Sequence, residues 1–180
     1  MVSKASLLLF YFQTIGSEYF TPNPISHMMM NSLSRWDTIV LIEGDRILNY
    51  VNRRVLQLIG FKGSILLFSS GNEALDFLKV HFRKLGNSPN KLARTMVFVD
   101  DDLPDMDAAD FLEELEKMTA EPRGRVLAVL MVAGNPSDQR SVCNHLDLSV
   151  EVVSKPLTKS VMTSLVAKMP QGSNVLGGIE

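Results

Sequence analysis

The chain has 180 residues, 46% of them hydrophobic, a formal net charge of −2 and a pI near 5.9. That length supports one well-buried core and is short for two ordinary domains. The charge balance lacks the basic excess that a phosphate backbone demands, and no Lys/Arg stripe is interleaved with aromatics, so nucleic acid is excluded as a direct partner.

Residues 1–35 read differently from the rest. Lys4 followed by "SLLLFYF" resembles the start of a signal peptide, but the run falls short of the about 20 apolar residues a membrane span needs, and no small-x-small cleavage site follows. Neither export nor a membrane association is expected. Three methionines, Met28 to Met30, stand directly before a well-patterned domain. The expectation is therefore a disordered N-terminal extension, or a stretch upstream of the natural start, over 1–35; a single domain over 36–169; and a tail over 170–180 with neither helical nor strand period.

From Trp36 onward, apolar runs of strand length alternate with segments of helical period. "TIVLI" (Thr38–Ile42) is β-branched and continuous, as a strand covered on both faces should be. In "EGDRILNYVNRRVLQLIG", Ile47, Leu48, Val51, Val55 and Leu58 form one predicted helical stripe, with Arg46, Asn49, Arg53 and Arg54 facing away. The unit repeats: "SILLFSS" (64–70) reads as a strand, and "GNEALDFLKVHFRKLG" as a helix with Ala74, Leu75, Leu78, Phe82 and Leu85 inward and Gly86 closing it.

After the polar loop "NSPNKLAR" comes a third strand, "TMVFV" (95–99). A loop holding five aspartates in eight residues follows it, then a helix built on Phe111, Leu112, Leu115 and Met118. "RVLAVLMV" (125–132) reads as a fourth strand. "NPSDQRSVCNHL" opens with an Asn cap and Pro at the first helical position. "VEVVS" (150–154) is the fifth strand, "KPL" a turn, and "TKSVMTSLVAKM" a last helix aligning Val161, Met162, Leu165 and Val166.

Five strands alternating with five helices predict an α/β fold, a doubly wound parallel sheet with helices on both faces. Ligands of such folds sit beyond the carboxyl ends of the strands. Glu43 follows strand one, Asp100 ends strand three and Lys155 follows strand five, so three charged residues distant in sequence converge on one edge. Carboxylates held close repel unless a cation sits among them, and a hard divalent ion such as Mg²⁺ satisfies oxygen ligands while keeping several waters. A carboxylate so placed can attack a phosphoryl group, with the metal and the lysine neutralising the developing charge. Asp105 and Asp107 are expected to decorate a solvated turn, one of them capping the helix.

"VFVDDDLPDMDAADFLEEL" resembles the phosphoacceptor segment of receiver domains of two-component response regulators (CheY-like), in which an apolar strand ends in Asp, a Pro lies four residues later and Met-Asp-Gly follows. Asp100, Pro104, Met106 and Asp107 match, and Ala108 stands where Gly is usual. "SKPLT" matches the family's Lys-Pro with Lys155 and Pro156. The resemblance implies a flavodoxin-like strand order 2-1-3-4-5. It also implies Asp100 as phosphoacceptor, Lys155 as partner of the acyl phosphate, and Mg²⁺ held by Glu43, Asp100 and the backbone carbonyl of Asp102.

The departures concern chemistry. Receivers place two acids after strand one, whereas here Glu43 fills the first position and Gly44 the second, normally a direct metal ligand. Asp45 is a candidate substitute but is better placed as the N-cap of the first helix. Strand four normally ends in Ser or Thr, and counting back from "NPSD" gives that place to Met131. The aromatic residue expected three positions before the lysine is Val152. In the family that hydroxyl meets the phosphoryl group and the aromatic ring turns inward with it; Met131 cannot donate a hydrogen bond to a phosphoryl oxygen, and Val152 has no ring to rearrange.

What this implies is a stand-alone receiver accepting phosphate on Asp100 from a histidine kinase or phosphotransfer protein within a two-component phosphorelay, and signalling in the cytoplasm through contacts with a downstream protein. It would not be an enzyme beyond self-catalysed phosphoryl transfer and autodephosphorylation, and a homodimer is compatible with it. The alternative is a degenerate pseudo-receiver, a binding module insensitive to phosphate, with Mg²⁺ weak or absent.

A remoter alternative takes "DDD" as the Asp-x-Asp of haloacid-dehalogenase-like phosphatases, with Asp100 as nucleophile and Asp102 as general acid; two strand-helix units before the motif argue against it. His27, His81 and His145 lack metal-ligand spacing, and Cys143 reads as a small apolar side chain.

Overall fold

The computed structural model describes residues 31–86, 93–119, 125–139 and 143–168. Five strands, β1 (Thr38–Ile42), β2 (Ser64–Phe68), β3 (Thr95–Asp100), β4 (Val126–Val132) and β5 (Val150–Ser154), form one all-parallel sheet in the order β2-β1-β3-β4-β5. They are joined through α1 (Arg46–Leu58), α2 (Gly71–Gly86), α3 (Ala108–Thr119) and α4 (Pro136–Gln139), and α5 (Lys159–Lys168) follows β5. Strands β1, β3 and β4 are buried along their whole length, which is why they read as unbroken apolar runs rather than alternating ones.

The pleat sends successive residues to opposite faces. Ile39, Leu41, Met96, Phe98, Leu127, Val129 and Met131 meet α1 and α5 on one face, through Val51, Val55, Leu56, Met162, Leu165 and Val166. Val40, Ile42, Val97, Val99, Ala128 and Leu130 meet α2 and α3 on the other, through Ala74, Leu78, Phe111, Leu112 and Leu115. Each fully buried Leu, Ile or Phe in these layers contributes about 1.5–3 kcal/mol.

The packed region reaches further back than Trp36. A helical turn over 31–33 inserts Leu33 into the first face, where it is 1% exposed, and Trp36 packs against the same cluster. Residues 1–30, the tail 170–180, most of the polar loop after α2 (87–92) and the middle of the "NPSDQRSVCNHL" segment (140–142) lie outside the described residues. The start of that segment folds as its sequence predicts, with Asn135 accepting from the Ser137 N–H at 3.2 Å.

Helix α1 is rotated relative to its predicted stripe. Ile47 is 49% exposed, whereas Asn49 is 4% exposed. The Asn49 amide donates to the carbonyl of Phe68 at 2.8 Å and to that of Glu43 at 3.4 Å, satisfying backbone acceptors at the ends of β2 and β1. Buried carbonyls require such partners, and drawing Asn49 inward turns Ile47 out. Periodicity of apolar residues alone could not reveal this.

Candidate functional site

The sheet register builds the site. Leu41 pairs with Phe98, so Glu43, two residues on and just past the end of β1, lies level with Asp100 on the face that α1 covers. Asp100 pairs with Met131, and Met131 with Val153. Lys155, two residues beyond Val153, therefore crosses back over the strand ends toward Asp100. Glu43, Gly44, Asp45, Arg46, Leu48, Asp100, Asp102, Pro104 and Lys155 line an open cleft of about 620 Å³ at this edge.

Asp100 is 3% exposed and ion-paired with Lys155 through Oδ1. The same oxygen accepts from the Asp102 N–H at 3.1 Å. Lys155 also reaches Asp101 Oδ1 at 2.8 Å. Burial works to lower the Lys155 pKa, but the hydrogen bonds and charges of Asp100 and Asp101 outweigh it and hold the ammonium above its ordinary value. Burial likewise works to raise Asp101, yet bonds from Lys155 and Asp100, the lysine charge and the Ala133 N–H hold its carboxyl below the usual range.

Glu43 is 3% exposed. Burial, then its hydrogen bond to Asp100 and the charge of that neighbour, push its carboxyl up to about 7, against the opposing Asp45 N–H and Lys155. Its Oε1 accepts from the Asp45 N–H at 3.0 Å. Asp45 is the N-cap of α1, its Oδ1 accepting from Ile47 N at 2.8 Å and Leu48 N at 3.4 Å. Its carboxylate is thus engaged by the helix it starts.

The position past the end of β4 differs from its sequence assignment. Met131 lies within the strand opposite Asp100, 1% exposed and packed into the first-face core. Two residues on, in the row of Lys155, stands Ala133, exposed at the rim with its N–H donating to Asp101 Oδ2 at 3.3 Å. The pleat puts both residues on one face, and β4 ends at Val132, so Met131 stays in the core and Ala133 is the rim position. No hydroxyl is gained, since Ala133 offers a methyl. Val152 is 6% exposed and packs into the second-face core.

Asp105 does more than decorate a turn. Its carboxylate accepts from Gly71 N and Asn72 N, each at 2.9 Å, and from Ser70 Oγ and Asn72 Nδ2, each at 2.8 Å. It caps α2 from the loop after β3, a pairing between residues more than 30 apart that local sequence reading misses. Gly71 permits the approach, since a Cβ there would lie 2.4 Å from Met106 Sδ. Asp107 starts α3, its carbonyl accepting from Phe111 N.

Burial works to raise the Asp105 carboxyl, but those four donors together outweigh it and bring it down to about 2 from 3.8. The group is depressed in the folded state, so its stabilisation is present above 3.8 and is lost as pH falls through about 2. Replacing Asp105 with Ala is expected to cost about 1 kcal/mol, in the range of a lost N-cap, read as a lower urea midpoint at neutral pH with an unchanged slope.

Among the described residues, no group of three or more His, Cys, Asp or Glu side chains is placed to hold a metal ion. Four acidic residues line the cleft, Glu43, Asp45, Asp100 and Asp102; the Asp45 carboxylate is engaged as a helix cap, Glu43, Asp100 and the Asp102 carbonyl are the candidate donors, and Gly44 contributes no side chain. This donor set fits Mg²⁺ only as a loosely held ion that keeps most of its waters. Among the described residues, no helix is long and apolar enough to cross a membrane.

No protein-family model matches the chain, and no curated protein matches its sequence significantly. Solved structures do match. The receiver domain of the histidine kinase CKI1 from Arabidopsis thaliana, as a point variant, superposes with a TM-score of 0.63 at 18% identity, covering 81% of this chain and 97% of that one. A two-component response regulator from Cytophaga hutchinsonii gives 0.58 at 24% identity, covering 74% and 96%. The CKI1 receiver has also been solved complexed with Mg²⁺ and with Mg²⁺ and BeF₃⁻. At these identities the likeness is one of fold, and with the sheet order and the helices on both faces held in common, the chain has the receiver-domain fold of two-component response regulators.

Proposed function

We propose that the chain is a receiver that accepts a phosphoryl group on Asp100 from a histidine kinase or phosphotransfer protein and passes the signal on through protein contacts. The observation that carries this reading is the Lys155 ammonium paired with a buried Asp100 carboxylate at the mouth of a polar cleft. A buried carboxylate that ends a central strand is expensive to keep for structure alone, and here one oxygen already receives the ammonium and a backbone N–H. In the reaction, Asp100 Oδ attacks the phosphorus of a phosphohistidine, the phosphorus–nitrogen bond breaks, and the imidazole leaves with a proton. Lys155 stays beside the acyl phosphate to neutralise its charge. Mg²⁺, when bound by Glu43, Asp100 and the Asp102 carbonyl, supplies further neutralisation of phosphoryl oxygens. Catalysis would be limited to the domain's own phosphorylation and its hydrolytic reversal.

Gly44, Ala133 and Val152 favour a second reading, a receiver fold kept for its binding surfaces. Amide NMR of the full chain separates the two. Addition of Mg²⁺ and then beryllofluoride, which mimics an aspartyl phosphate, is expected to shift resonances at Glu43, Asp100 and Lys155 and onward into α5, and Asp100→Asn should abolish the beryllofluoride response. A spectrum unchanged in millimolar Mg²⁺ with beryllofluoride would overturn the phosphoacceptor reading in favour of the binding module.

A further inference from the structure

The rim beside Asp100 presents three donors to any anion placed there: the Lys155 ammonium, the Ala133 N–H and the Asp102 N–H. The last already serves Asp100. Asp101 engages both of the others: its Oδ1 lies 2.8 Å from Lys155 Nζ, an ammonium it shares with Asp100, and its Oδ2 lies 3.3 Å from Ala133 N. Its backbone is held by the Asp101 N–H donating to the Met131 carbonyl at 3.0 Å, while its side chain is 27% exposed.

Phosphoryl oxygens on Asp100 carry charge and require these same donors. A phosphoryl group and the Asp101 carboxylate cannot share Lys155 without bringing like charges close together. Ala133 has no hydroxyl and Val152 no ring to offer an arriving phosphoryl group. Asp101 is left as a rim side chain whose bonds an arriving phosphoryl group must change.

Resting on the phosphoacceptor reading, we propose that the Asp101 carboxylate is a resident anion that occupies the phosphoryl-binding donors of Lys155 and Ala133 and is displaced when Asp100 is modified. It makes the unmodified state self-satisfied and weakens the site for phosphoryl groups. Its release is the event that frees the segment after β4.

The test compares the full-length parent with Asp101→Asn and Asp101→Ala by amide NMR in Mg²⁺. Before any beryllofluoride is added, the Ala133 amide resonance is expected to move in both variants, because its acceptor has changed or gone; an unmoved resonance overturns the proposal. In the titration both variants should bind beryllofluoride about tenfold more tightly than the parent, as expected when one partly exposed like charge is removed. Equal or weaker binding, with the parent still responding, overturns the proposal and leaves the receiver reading standing. No response from any of the three chains overturns the receiver reading, and the displacement proposal with it, even where the Ala133 resonance has moved.

Discussion

Substituting Gly44 with Asp is expected to tighten Mg²⁺ binding by on the order of tenfold or more, about 1.4 kcal/mol per decade. The backbone accepts a side chain there, because Gly60 is the one described glycine with positive φ. A Cβ on Gly44 would stand 3.2 Å from Pro104 Cδ and 3.9 Å from the Asp102 carbonyl oxygen. The first contact is tight, but Pro104 is exposed on a loop and can yield a few tenths of an ångström. The second puts the new carboxylate beside an oxygen already suited to a hard cation. The same substitution adds a further carboxyl to an already acidic cleft, so the metal-free variant should be less stable than the parent while Mg²⁺ raises its melting temperature more. Calorimetric Mg²⁺ titration of both chains checks the affinity. Equal affinities would show that the missing side chain is not what limits metal binding.

Glu43→Gln is expected to stabilise the protein above about pH 7 and to remove most of its pH dependence across the neutral range. The Glu43 carboxyl stands at about 7 in the folded chain against an ordinary 4.5. Between those values the folded state holds a proton that the unfolded state has released, so stability falls as pH rises from 4.5 through 7 and then levels. A displacement of that size corresponds to roughly 3 kcal/mol at most; partial relaxation around the carboxyls reduces it, giving an expected gain of about 1–3 kcal/mol for the amide at alkaline pH. Urea denaturation of both chains from acid to alkaline pH reads this directly, and parallel profiles would overturn it. A bound cation competes with the same proton, so the parent's Mg²⁺ affinity should climb through neutrality while that of the variant stays flat.

The fold was legible because buried parallel strands leave a plain mark. "TIVLI" and "VEVVS" match β1 and β5 residue for residue, and the helices between strands show their apolar period. Asp100 and Lys155 were legible for a related reason: in a doubly wound sheet the carboxyl ends of strands share one edge, so chain order alone brings them together. Asp45 announced itself as a cap by standing before a helical run. Each of these features is fixed by residues close in sequence or by a general rule of topology.

Other features depend on register and on partners far along the chain. Met131 and Ala133 share one face of β4, and which of them stands at the rim turns on how far that strand runs past Asp100, which a count of residues cannot tell. Asn49 lies inside because carbonyls at the ends of β1 and β2 need a donor, a demand visible only once those strands are placed. Asp105 caps a helix more than 30 residues before it, and Asp101 spans the ends of two other strands. Composition and period determined that this sequence folds as a doubly wound sheet with an acidic edge. Which acid meets which donor was decided by hydrogen bonds between distant segments, since a carboxylate takes the partners that packing brings within about 3 Å.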